Sequence, residues 1–404
     1  MHVADTARPP PHTVVVLGLL TMFGPLSLDL YLPALPQLAD DLDASASAAQ
    51  LSITTCLVGL AVGQLVAGPM SDRLGRKRPL IVGLLAYLLA SVACAYAPSA
   101  TVLAILRLVQ GLAGAAGIVI SRAIARDLYS GRALMIFFSR LLLIAGLAPV
   151  VAPILGGQLS KIMSWRGIFV VLAGFGAVLL LAGWFGLKET LPPERRIVGG
   201  FRRTLHGYNT LLHDRFFVGC ALSSGLAGAT MFAYIAGSTF VLQRIYGMSP
   251  QGFSLVFGCI SLGLVAAAQA GARIALVWSL PRVLGLGLAI NLLGATALLA
   301  TVVSGLPLAV LIGALLVMVC AVGLIFPTAN ALAMADYPDL AGTASSLQGL
   351  SQFVFGAVAA PLVGIAGDQT ALPLGIVTTT VSVCAMTSFV SLVIPVVRAR
   401  TKDY

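Results

Sequence analysis

Two ionisable side chains lie inside long apolar runs, where a charge is costly and marks a functional position by default. Asp29 sits in "SLDLYLPALP" and Arg107 in "ILRLVQGLAGAAG". At ~1.5 Å per residue, both fall about 10 Å or less below the same edge of a ~30 Å hydrocarbon core. A guanidinium keeps its proton throughout, whereas burial and a nearby cation pull a carboxyl in opposite directions. The pair therefore suggests proton coupling, with Asp29 as carrier and Arg107 as the fixed charge that sets its affinity. A purely structural ion pair is the alternative. A third such residue, Arg140 in "IFFSRLLLIAG", stands barely a turn inside its run, close enough to snorkel out.

A different cluster is "GPMSDRLGRKRPL", Gly68 to Leu80, with Arg73, Arg76, Lys77 and Arg78 around Asp72. A nucleic-acid patch is excluded by what surrounds it. Only 9% of the residues are charged, 59% are hydrophobic and the mean hydropathy is +1.00. Soluble domains carry about 25% charged residues. The chain is expected to be an all-α integral membrane protein, and its net charge of +10 must be read by location. Six cysteines lie singly in apolar runs and four histidines form no ligand pair, so no metal or other cofactor is expected. No paired His/Glu/Asp or Ser/Lys constellation supports an intramembrane enzyme. The first apolar run also continues past any plausible signal-peptide h-region.

Apolar runs of about 20 residues separated by charged or Pro/Gly clusters give twelve spans. They cover residues 14–36, 48–68, 80–97, 101–121, 135–157, 166–187, 216–242, 250–270, 282–302, 306–329, 342–363 and 372–397. Of the 24 Lys and Arg, only Lys161, Arg166 and Arg244 fall on the side away from the N-terminus, with Arg107 and Arg140 inside spans. Cytoplasmic loops are enriched in Lys and Arg, so both termini are predicted inside. The longest polar segment, 188–215, divides the chain into two six-helix bundles, 14–187 and 216–397, with tails 1–13 and 398–404. Such a plan suits a secondary transporter with its site between the halves. "GARIALVWSLPRVL" (Gly271–Leu284) holds the place in the second half that Gly68–Leu80 holds in the first. It keeps a Gly, two Arg and a Pro but lacks the acid.

Small residues in "GLAVGQLVAG" (Gly59–Gly68) and "GLAGAAG" (Gly111–Gly117) allow close helix packing. In "GLAPVVAPILGGQL", Pro149 and Pro153 remove backbone donors and bend the fifth span, while Gly156 and Gly157 let it press on a partner. A generic kink is the plainer account. Candidate cavity side chains are Tyr31, Gln64, Gln110, Tyr234 and Asn330.

The chain resembles the major facilitator superfamily, in particular drug:proton antiporters of the bicyclomycin/chloramphenicol-resistance (Bcr/CflA) type. "GPMSDRLGRKRPL" is similar to the loop signature between spans 2 and 3, "LDLYLPALPQLADDL" to the span 1 motif and "LRLVQGLAGAAG" to the span 4 motif. "ARDLY", "SWRGIFV" and "GTASSLQG" resemble further segments of the family. The span 5 antiporter motif is present as Ala152-Pro153-Ile154-Leu155-Gly156-Gly157, with alanine in place of its first glycine.

The resemblance implies the major facilitator fold and a role for Arg107 in proton coupling. It also implies a latch formed by Gly68, Asp72, Arg73, Gly75, Arg76, Asp127 and Gly342. In it Asp72 would accept from the start of span 11 near Gly342, and Arg73 and Arg76 would pair with Asp127, tying the bundles shut on the inside. The expected activity is export of small lipophilic drugs in exchange for protons, by a monomer in the bacterial plasma (inner) membrane. The expected partners are the drug, protons and lipid, with no nucleic acid. Proton-coupled or facilitative transport of an endogenous metabolite is the runner-up.

Overall fold

The computed structural model describes residues 11–129, 131–196, 208–337, 341–367 and 369–400. The N-terminal tail before Pro11, residues 197–207 of the central loop, residues 401–404 and the side chain of Arg140 lie outside the described residues. Among the described residues the structure is helical and contains no strand.

The first half consists of α1 (Pro11–Thr21), α2 (Phe23–Asp29), α3 (Leu35–Asp41), α4 (Ala46–Leu74), α5 (Lys77–Ala95), α6 (Ala100–Leu128), α7 (Gly131–Leu159) and α8 (Trp165–Gly186). The second half consists of α9 (Arg215–Phe240), α10 (Pro250–Ile274), α11 (Leu280–Val303), α12 (Leu308–Ala335), α13 (Ala341–Leu362), α14 (Leu372–Ser388) and α15 (Ile394–Arg400). Polar caps start several of them. Ser45, Ser99 and Ser249 accept from Ala48, Val102 and Gly252, and Asp214 accepts from Phe216 and Phe217. Each satisfies a backbone donor that the first helical turn leaves free.

Nine helices among the described residues are long and apolar enough to cross a membrane, or ten if the bent pair Thr13–Thr21 and Phe23–Asp41 is one span. The sequence reading gave residues 14–36 as one run, whereas this segment breaks after Asp29 into a 3₁₀ turn, Leu32–Ala34, before α3. The cause is local. Pro33 and Pro36 lack the N–H groups that would continue the ladder, whereas the 43° bend lies earlier, at the break between Thr21 and Phe23. Several other helices, such as α4 and α6, run well past their apolar cores.

Within the halves, α4 lies along α6 and α5 against α8, while α9 packs on α13 and α11 on α12. α4 and α6 approach so closely that a Cβ on Gly111 would meet the Cys56 carbonyl. Between the halves, α4 meets α13 and α7 meets α10. Here "basic end" denotes the end carrying Arg73–Arg78. Hydrogen bonds across the halves gather at the opposite end. Ser47 donates to the Pro361 carbonyl (3.4 Å), Gln50 to Ala236 (3.2 Å), Gln243 to Pro33 (3.1 Å) and Gln251 to Gly157 (2.8 Å). Arg244 completes the set with an ion pair to Asp40 and a bond to the Pro36 carbonyl.

Candidate functional site

The break after Asp29 creates the first element of the site. The last carbonyls of a helix have no intrahelical partner and carry the negative end of its dipole. α2 ends there, and Arg107 of α6 occupies its C-terminus: Nη2 donates to the Ser27 carbonyl at 2.7 Å. The same guanidinium donates through Nε to the Ser52 carbonyl (3.2 Å) and through Nη1 to Gln110 Oε1 (2.5 Å). Tyr31 covers its face at 4.6 Å and Phe169 lies 5.6 Å away, both within cation–π range. Gln110 passes the chain on to Ser91 (2.7 Å), and Tyr87 shares a hydrogen bond with Ser27 Oγ (2.7 Å). Arg107 is fully buried, and its donors are met by carbonyls, an amide and π faces.

Asp29 takes no part in this network. The expected Asp29–Arg107 pair is absent: Asp29 is 4% exposed and makes no hydrogen bond or ion pair with any described residue. The neutral Tyr234 phenol of α9, in the other half, lies close enough to feel its charge. The Tyr234 hydroxyl is itself buried without a partner, as are Ser238 Oγ and Thr239 Oγ1 on the same helix and Gln50 Oε1 on α4. A carboxyl and several unsatisfied hydroxyls thus sit around the contact between α9 and the first half. A buried polar group without a partner is costly, and such groups have room for a proton, a ligand or a water to satisfy them.

The other candidate cavity residues divide. Tyr31 and Gln110 are fully buried in the Arg107 network, with Tyr31 OH bonded to Ser52 Oγ at 2.9 Å. Their polar atoms are engaged within the first half. Gln64 and Asn330 are half-buried and make no hydrogen bond with a described residue.

The loop between α4 and α5 is held within the first half. Arg76 donates through Nε to Asp127 (2.9 Å) and through Nη1 to Asp72 (2.5 Å) and Ser71 Oγ (2.9 Å). Burial acts to lower the Arg76 pKa, but the bonds to Asp127 and Asp72 outweigh it and hold the guanidinium more firmly charged than usual. Arg73 is exposed and pairs with no described residue, while Asp72 accepts from Arg76. The expected pairing of Arg73 with Asp127 is therefore corrected to Arg76 alone, and the expected contact of Asp72 with Gly342 lies outside the described residues. Arg76 sits one helical turn after Asp72 and its fork serves both acids at once. Gly68, one turn before Asp72, is half-buried and supplies the carbonyl that accepts from Ser71 Oγ (2.8 Å).

Glu189, just past α8, is a member of this cluster that the sequence reading missed. Its carboxylate accepts from the backbone N–H of Arg76 (2.8 Å), Lys77 (3.2 Å) and Leu191 (3.0 Å), capping the N-terminus of α5 from outside. Although its partial burial acts in the opposite sense, these N–H groups and Arg196 hold its pKa below the usual value. Thr190 adds a bond to Asp127 at 2.9 Å. Gly75, at φ +91°, occupies a backbone conformation that favours glycine, and a Cβ there would push against the Glu189 carboxylate. The acid three residues past α8 is the available signal, within the polar segment 188–215 that divides the two bundles.

In α7, Pro149 and Pro153 lie inside the helix. Gly156 presses on the Leu30 carbonyl of the first half, and Gly157 on Ser254 and the Pro250 carbonyl of α10. The glycine pair thus brings α7 close to the Leu30 carbonyl on one side and to α10 on the other.

The comparisons with known proteins decide what kind of molecule this is. Residues 17–361 match the Major Facilitator Superfamily model. The chain belongs to that superfamily. It is a transporter, not an enzyme, and a multi-pass protein of the bacterial inner membrane. An uncharacterised MFS-type transporter of Bacillus subtilis, YdgK, is 39% identical over 379 residues, covering 93% of this chain and 94% of that protein. A bicyclomycin resistance protein homologue of Haemophilus influenzae is 31% identical over 364 residues, covering 89% and 91%. Among solved structures, a bacterial homologue of the human lysosomal transporter Spinster superposes with a TM-score of 0.73 at 15% identity, covering 95% of each chain. That likeness shows the shared fold.

Proposed function

We propose that this transporter exports small lipophilic drugs or antibiotics in exchange for protons by alternating access. The observation that carries the reading is Asp29, a carboxyl enclosed where the halves meet and without a cation. A carboxyl in such a place favours its neutral form until water or a cation reaches it, which is what a proton carrier requires. Arg107 then acts as the fixed cation of the first half, ordering α2 and with it the position of Asp29. Proton binding at Asp29 biases the equilibrium between the two orientations, and drug leaves as the proton enters. No cofactor is needed.

The same reading takes the chain as twelve spans, with α7 and α13 completing the set, and with both termini and the basic end in the cytoplasm. It takes the cluster of Asp72, Arg76, Asp127 and Glu189 as the part that stiffens the first half on that side. Tyr234, Gln64 and Asn330 face the cargo route, Gly156 and Gly157 form the pivot between halves, and the unit works as a monomer. The resemblance to a bicyclomycin resistance protein supports a drug cargo.

The test is drug-driven proton movement in acid-loaded vesicles. Wild-type protein is expected to alkalinise the lumen when drug is added, and Asp29→Asn to bind drug without moving protons. Proton flux that survives in Asp29→Asn removes Asp29 from the role.

A further inference from the structure

The second-half counterpart of the Arg76 loop is the turn between α10 and α11, Ala275 to Ser279. It lies at the basic end but is built of different material. Leu276 and Val277 are 85% and 84% exposed, and Trp278 is 47% exposed. In water such a tip would be unfavourable; at a bilayer surface it buries its apolar side chains among acyl chains, and tryptophan prefers that depth. A groove of about 370 Å³ opens beside it, lined by Arg273, Ile274, Val277, Trp278 and Leu286.

The charges at this turn are unspent. Arg273 and Arg282 are exposed and make no hydrogen bond or ion pair with any described residue. In the first half Asp72 and Asp127 claim Arg76, whereas no acid occurs between Gly271 and Leu284. A second groove, of about 400 Å³ at the opposite end, gives a useful contrast. Its Arg166 donates through Nη1 to the carbonyls of Ala95 (3.0 Å) and Ala97 (2.9 Å) and lies 4.3 Å over Trp165, so the protein itself holds that guanidinium.

We propose that the groove between α10 and α11 binds the headgroup of an anionic phospholipid. Guanidinium groups match a phosphodiester bidentately; Arg273 supplies one such fork from the groove wall, and Arg282, exposed in the first turn of α11, supplies a second from its rim. Ile274, Val277 and Leu286 line the path for the acyl chains, which a soluble phosphate would leave exposed. Basic pockets beside spanning helices recognise headgroups in this way, each cation adding a share of the attraction. The proposal is independent of cargo and of proton coupling, and it applies whichever side the basic end faces.

The experiment uses the full chain in mixed micelles, following tryptophan quenching by brominated phosphatidylglycerol or brominated phosphatidylcholine. Wild-type protein is expected to be quenched at lower mole fractions of phosphatidylglycerol. That excess is expected to vanish in Trp278→Phe, which isolates the local signal from Trp165 and Trp184. Arg273→Gln is expected to shift the phosphatidylglycerol midpoint about fivefold, and adding Arg282→Gln to shift it again by a similar factor. Both positions are exposed, so thermal unfolding of these variants should match wild type. Equal quenching by the two lipids overturns the proposal, as does an unchanged midpoint in the double variant. Relief of quenching by millimolar inorganic phosphate overturns the assignment to lipid.

Discussion

Arg107 donates to the carbonyl of Ser27 at 2.7 Å and leaves the carboxyl of Asp29, two residues on, without a cation. One helix end therefore presents a satisfied carbonyl to the first half and an unsatisfied acid towards the second. The two residues should respond differently to substitution.

Arg107→Lys keeps the charge but cannot reach Ser27, Ser52 and Gln110 together, which strands buried acceptors. A loss of about 2–4 kcal/mol in stability is expected, with transport reduced at least in proportion. Asp29→Asn removes a buried acid of the same shape and should leave stability within about 1 kcal/mol while abolishing proton exchange. Thermal unfolding in detergent beside vesicle transport separates the two. Equal destabilisation by both changes would mean that Asp29 has a structural partner.

The Glu189 tie is expected to weaken in acid. Its folded pKa lies below the ordinary carboxylate value, so its contribution is present above that value and is lost as pH falls through the depressed one. Glu189→Gln should remove the dependence and loosen the start of α5. Hydrogen exchange at Arg76 and Lys77 on lowering the pH provides the check, and protection that stays constant in wild type argues against the tie.

Gly111→Ala puts a methyl against the Cys56 carbonyl. Backbone has to shift, at an expected cost of about 1–3 kcal/mol. A drop in melting temperature is the expected result, whereas the same change at Gly313, which has open space around its Cβ position, should be near neutral.

Arg244 and Asp40 form a partly exposed bridge between the halves. Such pairs contribute about 0–1 kcal/mol. Asp40→Asn should therefore shift the balance of orientations only slightly, and cysteine labelling near Pro33 and Gln243 is expected to rise by less than about fivefold. A larger rise would make this pair the main fastening of that end.

Much of the fold was legible because apolar length fixes where helices cross, and an acid or arginine within an apolar run announces itself. Partner choice was not. Rise along a helix gives a height, and Arg107 does meet α2 at the expected level, but each residue also turns by about 100°. Ser27 and Asp29 therefore face nearly opposite ways. Glu189 escaped for a different reason: a loop acid has no periodicity, and its role appears only when α5 brings its free N–H groups alongside. The broken first span was written in Pro33 and Pro36, yet hydropathy alone averages across them.

The seam between α4 and α6 limits how such a protein can diverge. Where Gly111 meets Cys56, and Gly63 meets Leu112 and Ala115, no larger residue fits without moving backbone. A mutational scan scored only for protein in the membrane should be depleted at these positions. Variation that retunes cargo must then arise elsewhere, on surfaces such as α9 that answer to the first half without being fused to it. The part that holds Arg107 should then tolerate little change, and new cargo should be met by what moves against it.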